Sequence, residues 1–158
     1  MAALIVVMYL GEGAKAQNDL DRQPGWRVIK SSMQFNDLLL ELRNAVAQED
    51  MHIVTQASAS MGAEKQGATI PGNYVIGVFR NDFALRVLKT SLAAGIEAPI
   101  RFYVTENLNG TGTLSWKPPS YVFSPYIRNS GGAELEAVAE ELDQIFQSIA
   151  DRATQTGK

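Results

Sequence analysis

Two apolar stripes at helical spacing set the frame of this chain. Phe35, Leu38, Leu39, Leu42 and Val46 fall at i, i+3, i+4, i+7 and i+11. Leu135, Val138, Ala139, Leu142, Ile145, Phe146 and Ile149 repeat the pattern near the C-terminus. Each stripe needs an apolar surface to cover, and the segments between them have the period of strands. Trp26, Val28 and Lys30 alternate with Arg27 and Ile29, Met51 to Ala57 and Tyr74 to Phe79 are rich in β-formers, and Ile100, Phe102 and Val104 share one face of a run from Pro99 to Glu106. Asn109-Gly110 supplies a tight turn into a fifth strand, Gly112 to Trp116. A further helix is expected from Phe83 to Ala94, opened by Asn81 or Asp82 and closed by a left-handed Gly95. Ser31 and Gln34 have the spacing of a capping box for the first helix.

The resulting order is β-α-β-β-α-β-β-α. Such an order predicts an α+β fold of two layers, with a mainly antiparallel five-stranded sheet carrying its helices on one face. With 158 residues and no repeat, one domain is expected over residues 26–153, followed by a tail at 154–158. Ser58 to Gly72 reads as a polar loop with one helical turn.

The first ten residues are apolar, too short a run to span a bilayer. They precede Ala14-Lys15-Ala16, which has the small residues of a signal-peptidase site, although no Lys or Arg precedes the run. Residues 1–16 are therefore expected to be a signal peptide and residues 17–25 a flexible lead-in. The mature protein would then be periplasmic or secreted, without a stable membrane anchor. The alternative is a cytoplasmic protein in which Leu4 to Tyr9 form a buried strand.

Composition removes several chemistries. There is no Cys, so thiol nucleophiles, disulfides and cysteine metal clusters are absent, and one His precludes a multi-His site. A net charge of −3 argues against nucleic acid as a partner. No metal site and no cofactor are expected. His52, beside Asp50 and Met51, is read as a surface or packing residue. Ser58, Ser60, Glu64 and Lys65 are read as a polar loop, because no nucleophile elbow or paired base accompanies them.

The most informative middle segment reads Val75-Ile76-Gly77-Val78-Phe79-Arg80-Asn81-Asp82-Phe83-Ala84-Leu85 and then Ala94-Gly95-Ile96-Glu97-Ala98-Pro99-Ile100-Arg101. It resembles the domain-of-unknown-function family 302, in which a strand, an Asn opening a helix, a closing Gly and a Pro-x-Arg strand ending in an acidic residue recur. Asn81, Gly95, Pro99, Arg101 and Glu106 hold those places, and the resemblance runs from about Trp26 to Ala153. It implies a two-layer fold similar to that of the TATA-binding protein, often as a homodimer, and a bacterial protein with an export signal. It transfers no reaction. Many members carry an Asp-His pair after the second strand where this chain has Ser58-Ala59-Ser60, which puts any His-based chemistry of the relatives in doubt here. Asp82 also stands where an Asn-Pro pair is frequent.

Candidate binding residues follow from two segments. Arg101 and Tyr103 alternate with the apolar residues of their strand and should lie on the sheet face that the helices leave open. There the guanidinium either receives a carboxylate or phosphate, or pairs internally with Glu106 or a neighbouring strand. Trp116 to Tyr126 holds four aromatic residues and three prolines, and is read as a rigid aromatic loop lying against its own core edge, a second subunit or a bound molecule. Tyr121 and Phe123 are expected in a subunit contact or a pocket wall. Two functions remain open. One is a non-catalytic binding or assembly module, homodimeric, favoured by a flat two-fold apolar surface. The other is a small-ligand carrier or enzyme, favoured by a pocket lined by Arg101, Tyr103, Trp116 and Tyr121 between the open sheet face and the segment 116–126.

Overall fold

In a computed structural model, the structure describes residues 19–155; the expected signal peptide at 1–16 and the end of the tail, 156–158, lie outside them. Five strands, β1 (Arg27–Gln34), β2 (His52–Ala57), β3 (Asn73–Phe79), β4 (Ile100–Glu106) and β5 (Thr111–Trp116), form one sheet in the order β1-β5-β4-β3-β2, and every neighbouring pair is antiparallel. Helices α1 (Phe35–Gln48), α3 (Asn81–Thr90), α4 (Pro119–Tyr126) and α5 (Gly132–Thr154) bury their apolar sides with one face of this sheet, and short α2 (Ala59–Lys65) joins β2 to β3. The fold is thus the two-layer α+β arrangement expected from the order of elements.

Period two decides what lies in the core. Ile76, Val78, Phe102, Val104, Leu114 and Trp116 point to the helices and are buried, as are the stripe residues Leu38, Leu42, Leu135, Val138, Phe146 and Ile149. Phe102 is the hub, stacked on Phe146 at 4.7 Å between ring centres and tilted against Trp116 at 5.6 Å. The β4–β5 hairpin closes on Gly110 at φ +80°, a left-handed value that favours glycine.

Three local expectations are corrected. Ser31 caps nothing at α1: it lies inside β1, which stays paired with β5 through an irregularity as far as Gln34, and its Oγ accepts the Met33 N–H. Strand pairing outweighs one side-chain cap. Helix α3 ends at Thr90 rather than at Gly95, because Ser91 turns extended and its Oγ accepts the Ala94 N–H, starting a 3-10 turn over Ala93–Glu97. Gly95 sits in that turn, where a Cβ would meet the Leu88 side chain.

The third correction concerns the aromatic segment, which is not a loop. Trp116 is the last residue of β5, and Pro119 to Tyr126 are the helix α4. Proline at the first helical position is pre-set for the helix. Pro125 removes the N–H that the Tyr121 carbonyl would accept, and the Ser124 hydroxyl bonds that carbonyl instead at 2.9 Å. Burial of Phe123 then holds the helix in place.

Candidate functional site

The sheet face opposite the described helices is built by the other half of the alternation. Rows across it can be read from the register. Val28, Ser115, Tyr103 and Val75 form one row, and Arg101 faces Gly77 in the next. Ser115 is small and fully buried, so the floor is low between Val28 and Tyr103. Trp26 precedes β1 in the same phase, and Lys117 follows β5.

A hollow of about 260 Å³ opens there, lined by Trp26, Arg101, Tyr103 and Lys117, with Glu97, Trp116 and Val122 closing its end. The Lys117 ammonium lies 5.5 Å from the centre of the Trp26 ring. Arg101 is exposed and makes no ion pair or hydrogen bond among the described residues. The expected alternative of a pair with Glu106 is not formed, because that carboxylate sits at the far end of β4 and accepts the Gly72 N–H at 2.7 Å. Glu97 is engaged as well: the Tyr126 hydroxyl donates to it at 2.7 Å, and that hydrogen bond raises the Tyr126 phenol above its ordinary pKa. Two cations and two aromatic surfaces therefore converge on one depression.

The sequence candidates separate in space. Arg101, Tyr103 and Trp116 line this hollow, although the Trp116 ring is also packed on Phe102. Tyr121 stands beside it. Its ring lies over Gly25, next to Trp26, so closely that a Cβ on Gly25 would fall inside the ring's contact distance, and Gly25 has φ +78°. Glu106 lines a second hollow of about 250 Å³ further along the same face, which shares Tyr103 with the first. Lys30 borders it, tied at 2.5 Å to Asp21 of the 3-10 turn Leu20–Arg22. Phe123 is on the other side of the sheet, in the core. Trp26, Lys117 and Glu97 were not singled out as candidates from the sequence. Trp26 was legible through its alternation with Val28, whereas Lys117 and Glu97 enter only through the packing of segments distant in sequence.

Other groups weighed from the sequence have structural duties. Ser58 caps α2 by accepting the Met61 N–H, and Ser60 accepts the Asn73 N–H. His52 is exposed on the edge strand β2. Among the described residues no three His, Asp or Glu side chains are grouped to hold a metal ion.

Helix α3 carries the clearest electrostatics. Arg80 holds Asp82 through two bonds of 2.8 and 3.1 Å, and Arg86 holds Glu141 of α5 through two of 2.6 and 2.7 Å. Hydrogen bonding to these guanidiniums lowers the pKa of both carboxyls. A lowered folded-state pKa stabilises the fold above the ordinary carboxylate range, and that stabilisation is lost as pH falls through the lowered value. We therefore expect Tm to fall more steeply between about pH 5 and pH 2 in the wild type than in the double variant Arg80→Gln, Arg86→Gln. Equal slopes in a calorimetric series would show that the pairs are solvent-screened to nothing.

Fold and hollow together define a class: a two-layer α+β domain whose described helices cover one face of the sheet, with a cationic, aromatic depression on the other. The model of the family described as Domain of unknown function DUF302 matches residues 27–149, and the chain belongs to that family. The crystal structure of an uncharacterized conserved DUF302 protein from Bacillus stearothermophilus is similar, with a TM-score of 0.72 and 19% identity over 83% of this chain and 99% of that one. At that identity the likeness carries the fold alone. No curated protein matches the chain.

Proposed function

We propose that this domain is a non-catalytic binding module that takes a small molecule with one anionic group and one flat apolar part on the open face of its sheet. The observation that carries the reading is Arg101, an unpaired guanidinium set beside Trp26 and Tyr103 with Lys117 completing the charge. A planar fork suits a carboxylate or phosphate, and the aromatic walls suit a ring. Among the described residues no nucleophile with an activating base lines the hollow, which favours binding over turnover.

The two tryptophans of the chain both border the hollow, so intrinsic fluorescence reports on it directly. Titration with benzoate, indole-3-acetate and phenyl phosphate is expected to quench saturably, and the neutral benzamide is not. Hydrogen bonds to a charged group contribute about 1.5–3 kcal/mol, so Arg101→Gln should weaken the anions about 10- to 150-fold. Equal binding of benzamide, or of benzoate to the variant, would refute the reading.

Self-association is the second reading, and a separate feature favours it. Leu85, Leu88, Leu92 and Ile96 form an exposed aliphatic ridge along α3 and the turn after it, with Leu92 83% and Ile96 79% exposed. If two copies pair through it, Leu92→Ser with Ile96→Ser should convert a dimer to a monomer in sedimentation velocity with little change in Tm. A wild type that sediments as a monomer at all concentrations ends this reading.

A further inference from the structure

A third hollow, a cavity of about 330 Å³, lies on the opposite side of the sheet beneath α3. Its floor is Val78 and Ile100, its far wall is Phe123 and Phe146, and its roof is Phe83 and Val87. Helix α3 is short and sends few side chains into this space. Of its ten residues only Phe83 and Val87 are buried, and the chain leaves it through a 3-10 turn. Close-packed interiors leave few voids larger than a water molecule, and an apolar void offers a water no partners.

The mouth is polar but already balanced. Arg80 and Asp82 satisfy each other there through two bonds, as do Arg86 and Glu141 on the outer side of the helix. Asn81, an exposed residue, is among those lining the cavity, and its side-chain amide has no hydrogen-bond partner among the described residues. Leu85 and Leu88, both half-exposed, extend the apolar surface from the mouth outward.

We propose that this cavity binds an uncharged apolar molecule, a hydrocarbon chain or ring system bearing at most one hydroxyl or carbonyl. The walls are mostly carbon, and the charged or amide side chains among the lining residues are those of Arg80 and Asn81. A charged head would have to displace a paired carboxylate or guanidinium, or stay unpaired itself. The free Asn81 amide can donate to a carbonyl or accept from a hydroxyl. This site differs from the open-face hollow in place and in ligand charge.

Displacement of the uncharged fluorescent probe N-phenyl-1-naphthylamine from the full chain tests it, with 1-octanol, octanoate and octyltrimethylammonium as competitors. Octanol is expected to displace at a concentration about tenfold lower than either ion. Ala84→Trp and Val87→Phe, which fill the cavity, should each abolish probe uptake while keeping a cooperative melt, whereas Arg101→Gln leaves uptake unchanged. Octanoate or octyltrimethylammonium competing as well as octanol overturns the proposal, and so does undiminished uptake by a folded filling variant. Loss of uptake in Arg101→Gln overturns it too, since the probe would then be reading the open face.

Discussion

Phe123→Ala is expected to destabilise the domain by about 3–5 kcal/mol, whereas Tyr121→Ser, two residues away, should cost less than about 1 kcal/mol. Phe123 is 2% exposed and packs in the core beneath α3, so truncation removes its apolar contacts and enlarges a space that is already open. Tyr121 is 45% exposed and rests on Gly25. Losing its ring uncovers one glycine and the flank of the Trp26 hollow. Urea unfolding monitored by far-UV dichroism gives both values. Similar losses for the two variants would mean that α4 docks through its outer side as much as through Phe123. The single substitutions also separate two aromatic residues that a sequence reading places together as interface anchors.

The next largest effect is expected at Asp143. This carboxylate on α5 accepts the Ser120 N–H at 2.9 Å and the Ser120 hydroxyl at 2.5 Å, so it serves as the N-terminal cap of α4 from a different element. Pro118 and Pro119 leave that end without a side-chain cap of its own. Asp143→Ala strips a charged acceptor from both donors, and about 2–3 kcal/mol of stability should go with it. Asp143→Asn keeps an acceptor oxygen and should lose less than half as much. Because α4 carries Val122 and Tyr126, the latter holding Glu97, a loosened α4 should also weaken benzoate quenching at the hollow. Unchanged stability in Asp143→Ala would show that Phe123 burial alone fixes the helix.

The stripes from Phe35 to Val46 and from Leu135 to Ile149 were legible because a 3.6-residue period of large apolar side chains has few other uses, and α1 and α5 bury those residues. The strand faces were legible for the same kind of reason: Ile100, Phe102 and Val104 are buried while Arg101 and Tyr103 lie on the other side. What misled was proline. Three prolines among aromatics suggest a broken loop, yet one proline at a helix start, and another whose lost bond is replaced by Ser124, are compatible with α4. The capping residues were also misplaced, since Ser31 and Gly95 have the right chemistry for caps but stand where sheet pairing and the Ser91 turn prevail.

The sequence by itself therefore determined the order of the five strands and of α1, α3 and α5, the inward faces and the absence of cysteine and multi-histidine chemistry. Those depend on periods and residue types, which act locally. The tertiary structure alone decided which side chains meet. Arg101 is left unpaired because Glu106 is drawn to the Gly72 N–H at the other end of its strand. Trp26, Glu97 and Lys117 converge because β1, β4 and β5 lie side by side in an order the chain does not follow. Phe123 and Tyr121 part company because a helix turns neighbouring side chains to different sides, and α5 covers only one of them.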